Sequence, residues 1–198
     1  MSARLILPLL LAGIAAPATA QFQSESYKFL QAIKESKGNE VLEMLGRPGA
    51  TVVNTRDVNS GETPLLIVVR RGDLPYVNTL LSRGADPNLA DFRGSTPLLV
   101  ATESGNTALV PLLVSRGANP NLGNKAGETP LIRAVQRRDA AMVRALLTAG
   151  ADPDQTDNLA GRSARDYAGA DLRNPIISKL LADAPRTTKK KAVAGPKF

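Results

Sequence analysis

Gly61-Glu62-Thr63-Pro64-Leu65 opens a stretch that closes with Gly84-Ala85-Asp86-Pro87-Asn88, and both phrases return twice. The first recurs as Gly94-Ser95-Thr96-Pro97-Leu98 and again as Gly127-Glu128-Thr129-Pro130-Leu131. The second recurs as Gly117-Ala118-Asn119-Pro120-Asn121 and again as Gly150-Ala151-Asp152-Pro153-Asp154. Between them, Val77 with Leu80 and Leu81 returns as Val110 with Leu113 and Val114, then as Val143 with Leu146 and Leu147. Every step is 33 residues. Three signals that keep one period in one phase mark a repeat architecture.

Each piece has a physical job. Thr63, Thr96 and Thr129 are placed to cap helices, their hydroxyls accepting from an orphan backbone N–H. Pro64, Pro97 and Pro130 then occupy the first helical position, where no donor is missed. Short apolar helices are expected over 65–71, 98–104 and 131–137. A second helix in each unit carries the Val and paired apolar positions. Gly84, Gly117 and Gly150 end these second helices, where glycine takes a left-handed conformation at little cost. The Asp-, Asn-, Pro- and Gly-rich stretch that follows is a hairpin loop.

Gly-x-Thr-Pro-Leu, the paired leucines and Gly-Ala-Asp-x-Asn at this period resemble the ankyrin repeat, over about residues 25–182. The resemblance implies an all-α ankyrin-repeat solenoid of stacked helix-turn-helix units with hairpin loops. Leu66, Leu99 and Ile132 stand where the family places a histidine after Thr-Pro-Leu. Their presence removes a polar link between turns and is expected to leave packing to hold the stack. Terminal repeats face water on one side and are atypical. Residues 27–37 and 40–45 read as a first helix pair, with Phe29, Ile33, Val41 and Leu45 inward, and the connection over 46–60 is long enough to bulge. At the other end Gly161-Arg162-Ser163-Ala164 replaces Gly-x-Thr-Pro after a 34-residue step, which inserts one residue near 158–160. Arg165 stands at a leucine position and is read as part of an exposed outer face. Asn174-Pro175 reads as a further cap, followed by Ile177, Leu180 and Leu181. The count is five helix pairs: three regular repeats (60–92, 93–125, 126–159) between caps at 24–59 and 160–183.

The ends of the chain carry different information. Residues 5–16 form an apolar run after Arg4, and Pro17-Ala18-Thr19-Ala20 ends in small residues. This is the pattern of a secretory signal peptide over 1–20, with cleavage after Ala20 before Gln21. The run is about a dozen residues, against the ~20 needed to span a bilayer. A periplasmic or secreted location is expected, with no transmembrane segment after cleavage. All 18 acidic residues lie between Glu25 and Asp183, whereas Arg186, Lys189, Lys190, Lys191 and Lys197 follow the last acid. The body is nearly neutral, and the high pI comes mainly from a tail, 184–198, read as disordered.

Composition excludes several chemistries. There is no cysteine for thiol catalysis or thiolate metal sites, and no histidine, the commonest general base. Asp152, Asp154 and Asp157 have a calcium-loop flavour, but Asp157 stands where such a loop turns on glycine and Ser163 where it ends in glutamate. Structural loop residues are the better reading. Residues 117–127 lack the Gly-Lys-Ser/Thr ending of a phosphate loop, and nothing brings a nucleophile and base together. No catalytic residue, metal site or cofactor is expected. A near-neutral body, export and only three Tyr, four Phe and no Trp argue against nucleic acid.

The resemblance implies binding through loop tips and the exposed face of the first helices. The tips map to Val58 and Asn59, Phe92 and Arg93, then Lys125 and Ala126; the helix face maps to Arg70, Arg71, Glu103, Ser104, Gln136 and Arg137. Glu62, Ser95 and Glu128 lie just inside each tip. Phe92 is an aromatic at a loop tip, and aromatics and arginines are enriched at binding hot spots. Arg70, Arg71, Arg133, Arg137 and Arg138 put five cations on first helices two repeats apart, which suits a partner with an acidic surface. Arg70, Arg71 and Arg137 are expected to line one groove with Phe92 at its rim. The leading reading is a protein-binding module that holds, shields or inhibits its partner on a concave face. One alternative is an envelope-associated protein docked on an anionic surface by the basic tail. A second is an enzyme subunit.

Overall fold

The computed structural model describes residues 24–47, 51–171 and 173–186. The leader over 1–20, its cleavage site and the tail cations Lys189, Lys190, Lys191 and Lys197 lie outside the described residues. The helices are α1 (Glu25–Lys34), α2 (Gly38–Gly46), α3 (Pro64–Arg71), α4 (Leu74–Ser82), α5 (Pro97–Glu103), α6 (Leu109–Ser115), α7 (Pro130–Gln136), α8 (Ala140–Thr148), α9 (Ala164–Ala170) and α10 (Pro175–Asp183). Among the described residues there is no strand, only an isolated antiparallel bridge from Thr156 to Ser163. No described helix is long and apolar enough to cross a membrane.

The expected helix starts are present. Thr63 Oγ1 accepts from the Leu66 N–H at 3.2 Å, Thr96 Oγ1 from Leu99 at 3.3 Å and Thr129 Oγ1 from Ile132 at 3.2 Å. A proline follows each threonine at the first turn. Two second helices, α4 and α8, use an aspartate cap: Asp73 accepts from Tyr76 N–H and Asp139 from Met142 N–H. Ser24 caps α1, Asn174 caps α10, and Ser163 with Asp166 forms a reciprocal capping box at α9. Gly84, Gly117 and Gly150 follow second helices at φ of +85°, +90° and +86°, as the sequence requires.

First helices α1, α3, α5, α7 and α9 pack on one another in order; α6, α8 and α10 pack behind them in a second layer. One apolar core runs through both layers from Phe29 to Leu181. Phe29, Ile33, Val41 and Leu45 point into it as expected. The long connection after α2 is partly absorbed: a 3-10 turn, Val52–Asn54, tucks Val52 and Val53 into the same core.

Packing is not the only tie between repeats, which corrects the expectation drawn from the missing histidines. Leu66, Leu99 and Ile132 are fully buried. The polar link has moved to an asparagine ladder. Asn54 donates from Nδ2 to the Gly84 carbonyl at 3.0 Å and accepts at Oδ1 from the Asp86 N–H at 2.8 Å. Asn88 does the same with Gly117 and Asn119 at 2.9 and 2.7 Å, and Asn121 with Gly150 and Asp152 at 3.3 and 2.7 Å. A second row joins the hairpins: Phe92 N–H donates to Ser60 O at 3.0 Å, Lys125 N–H to Arg93 O at 3.0 Å, and Asn158 N–H to Ala126 O at 2.8 Å.

Arg165 is a second correction. It does not lie on an exposed outer face; its side chain is only 17% exposed. Nε donates to Asp154 Oδ1 at 2.7 Å. The terminal nitrogens donate to the carbonyls of Leu181, Ala184 and Pro185. The guanidinium thus satisfies carbonyls that the end of α10 leaves unpaired, where a cation is also favoured by the helix dipole.

Candidate interaction surface

Four hairpins stand in a row, and one kind of residue shapes each. Asp57 Oδ1 accepts from the N–H groups of Asn59 and Ser60, and Asp91 Oδ1 from Arg93 and Ser95. Asn124 Oδ1 accepts from Ala126 and Glu128, and Asp157 Oδ1 from Leu159, Ala160 and Gly161. An Asp or Asn side chain that bonds the backbone a few residues on makes a compact turn. The loop direction is therefore fixed locally, and the tip side chains are pushed outward.

Three of the four tips display a large apolar side chain, and the third in the row displays Lys125. Val58 and Leu159 are each 86% exposed, and Phe92 is 49% exposed. Phe92 lies against Gly61: a Cβ there would sit 2.5 Å from the ring, so only glycine admits the aromatic so close. One ring face is thus spent on the preceding hairpin and the rest is available. Asn59, Glu62, Arg70, Asp91, Phe92 and Arg93 line a recess of about 340 Å³. Arg70 reaches it through an ion pair with Glu62 at 2.8 Å. Leu159 was missed in the sequence reading. Its signal was available: a bare leucine in a polar loop, at the place where one residue is inserted.

The expected groove of Arg70, Arg71 and Arg137 does not form as one unit. Arg70 joins Phe92. Arg71 turns back toward the first cap, where its guanidinium donates to Ile33 O at 2.7 Å and to Ser36 Oγ at 3.0 Å and lies 5.8 Å over the Tyr76 ring. It closes the C-terminal end of α1 and is committed to the fold. Arg137 is exposed at the end of α7, two repeats away. Glu103 is drawn into an ion pair with Arg133 at 3.5 Å, and Arg133 pairs with Glu128 at 2.6 Å. Arg138 pairs with Asp171 at 2.6 Å. Asn59, Arg93, Lys125 and Gln136 are exposed as the sequence places them, and Ser104 too, its hydroxyl donating to Val100 O.

The carboxylates here are structural. Lys34 hydrogen-bonds Asp57, which with the Asn59 and Ser60 amides holds its carboxyl well below the usual range. The Tyr167 hydroxyl, donating at 2.5 Å, lowers the Asp157 carboxyl with help from the loop amides, and the same bond raises the Tyr167 phenol. The Arg138 guanidinium brings Asp171 down to about 2. Asp157 is therefore occupied by its own loop and by Tyr167. Among the described residues no group of three or more Asp or Glu is gathered to hold a metal ion.

Residues 65–157 match the family model for ankyrin repeats, in three copies. No curated protein matches the chain. The matched span covers Leu65–Arg71 of α3, all of α4 to α8, the Asn88 and Asn121 rungs of the ladder and the two central hairpins. Residues 65–157 are similar to ankyrin repeats, and the ten helices of the described residues, with no strand among them, fit an all-α ankyrin-repeat solenoid.

Proposed function

We propose that this protein acts outside the cytoplasm as a non-enzymatic binding module. It would hold, shield or inhibit one partner protein across its hairpin tips and first-helix face. Ankyrin repeats are generally protein–protein interaction modules. The observation that carries the reading is the tip row: Val58, Phe92 and Leu159 hold apolar side chains in water on hairpins that are fixed from below. Exposed apolar groups on a pre-ordered scaffold lose little conformational entropy on binding and gain from desolvation. The leader pattern over 1–20 supports export.

Site-specific photo-crosslinking in intact cells tests this reading. A photoreactive residue at Val58, Phe92 or Leu159 should trap one protein species; the same residue at Ser115 or Thr148, on the second-helix side, should not. Equal trapping from both sides would overturn the surface assignment. Export has its own check: intact mass of protein from the extracytoplasmic fraction should begin at Gln21. Retention of Met1–Ala20 in a membrane pellet would overturn it.

A further inference from the structure

Arg138 stands where the two preceding first helices are followed by glycine. Gly72 and Gly105 hold φ of +71° and +69° at that repeat position, and Arg138 holds +57°. A left-handed backbone is disfavoured for any residue with a Cβ, and such strain is kept where the surroundings use it. Here the next repeat holds the side chain in place. Asp171 Oδ2 accepts from Arg138 Nε at 2.6 Å, and Asp171 Oδ1 accepts from Arg173 Nε at 3.2 Å. Both arginines bind the carboxylate through Nε. Among the described residues, no acceptor is bonded to their terminal nitrogens.

A third guanidinium lies alongside. Arg162 stacks 4.6 Å over the Tyr167 ring, with one nitrogen donating to the Asp166 carbonyl at 2.9 Å. Arg138, Arg162, Arg173, Tyr167 and Asp171 line one cavity of about 260 Å³ between α7 and α9. Asp171 is the one carboxylate in its lining. The carboxylates next to it are used elsewhere: Asp166 by Ser163, and Asp157 by Tyr167 and its own loop. Three guanidiniums thus line a cavity in which Asp171 is the lining carboxylate, while Asp166 attracts Arg162 from outside the lining. The cavity is smaller than the ~300–1,000 Å³ that drug-sized ligands occupy. It suits a single planar anion at the end of a side chain or chain, and the guanidinium fork matches a carboxylate in shape and charge.

We propose that this arginine pocket receives a carboxylate presented by the partner protein. The inference rests on the binding reading above and adds the partner's chemistry at one point. It moves the acid-recognising centre from Arg70 and Arg71 to the C-terminal end of the stack.

The test uses the full chain and two fluorescent probes at physiological ionic strength, where the Debye length is about 8 Å. One is an amide-capped hexaglutamate, which offers only side-chain carboxylates. The other is a Gly-Ser hexapeptide labelled at its N-terminus, whose free C-terminal carboxylate is its one charge. Binding of either that the pocket-arginine pair weakens supports the pocket, and the preference between them names the carboxylate source. The pair Arg162→Gln and Arg173→Gln should weaken binding about tenfold or more, the scale of lost charge-assisted bonds. Arg116→Gln with Arg144→Gln, equal in charge loss but on the second helices, should change it less than about twofold, as exposed charges at a distance are screened. Arg173 is 77% exposed, so Arg173→Gln alone leaves the fold intact and should still cost about threefold. Equal losses from both pairs, or failure of the wild type to bind either probe, would overturn the pocket. Photo-crosslinks from the hairpin tips would survive that failure, so the two proposals fall separately.

Discussion

The middle and the ends of the stack are built by different rules. In the middle, α5 is packed between α3 and α7, and the Thr-Pro caps, glycines and asparagines repeat in phase. Each central repeat is stabilised from both sides, so apolar packing dominates. At the ends one side is missing, and polar devices replace it: the α9 capping box, Arg165 on the carbonyls of α10, Arg71 on the end of α1 and Lys34 on Asp57. Packing and a repeated asparagine ladder carry the interior of this stack, while its ends are closed by individual polar bonds.

The largest way to strain this contrast is a truncation in the middle. Leu113 is fully buried on α6, and Leu113→Ala should destabilise by about 2–5 kcal/mol in urea unfolding. A loss below about 0.5 kcal/mol would show that the second layer contributes little packing. Arg165→Ala should cost about 1–3 kcal/mol, because it leaves part-buried carbonyls unsatisfied. Its signature is local: hydrogen exchange should accelerate in α10 with α5 unchanged. Acceleration in both would mean that end and middle unfold as one unit. Asn88→Ala removes two bonds at a part-exposed site and should cost about 1 kcal/mol. A near-zero value in a thermal melt would return the inter-repeat link to packing alone.

Acid gives a gentler test. The Asp57 and Asp157 carboxyls are held below their ordinary value of 3.8 in the fold, so the bonds that depend on them stabilise above that pH and are lost as pH falls through the lowered values. Asp171, at about 2, behaves alike. Asn124 shapes its hairpin with an amide that does not titrate. As pH falls below about 4, exchange protection should fade at the first and last hairpins before it fades at 124–127. Simultaneous loss in all of them would contradict the assignment of the outer hairpins to ionised anchors.

The sequence was most readable where the chain repeats. Thr-Pro at one period and Gly-Ala-Asp at the same period gave helix starts, helix ends and five pairs, because caps and left-handed glycines are local and residue-specific. Arg71 and Arg165 were misplaced for the opposite reason. Their acceptors are backbone carbonyls of other elements, Ile33 O and Leu181 O, and a carbonyl leaves no mark in composition. The asparagine ladder was written in the sequence but broken in phase: Asn54 precedes Asn88 by 34 residues and Asn121 follows it by 33. Of the surface, Phe92 was legible as an odd aromatic at a tip. Its seat on Gly61 was not, since it depends on how two hairpins stack. Leu159 sat in the inserted residue's shadow.

The asparagine ladder also bears on how long such a chain can be. Every rung joins one asparagine to the glycine and loop residue of the following unit, and the rungs are alike. Asn88 is followed by Leu89 and Asn121 by Leu122. Excising residues 89–121 would therefore leave Asn88 in the place of Asn121, with the same neighbour and the same partners at Gly150 and Asp152. The joint would carry no scar. A gene built on such a seam gains or loses whole units by in-frame recombination, with its two polar ends untouched and only the span of its binding face changed.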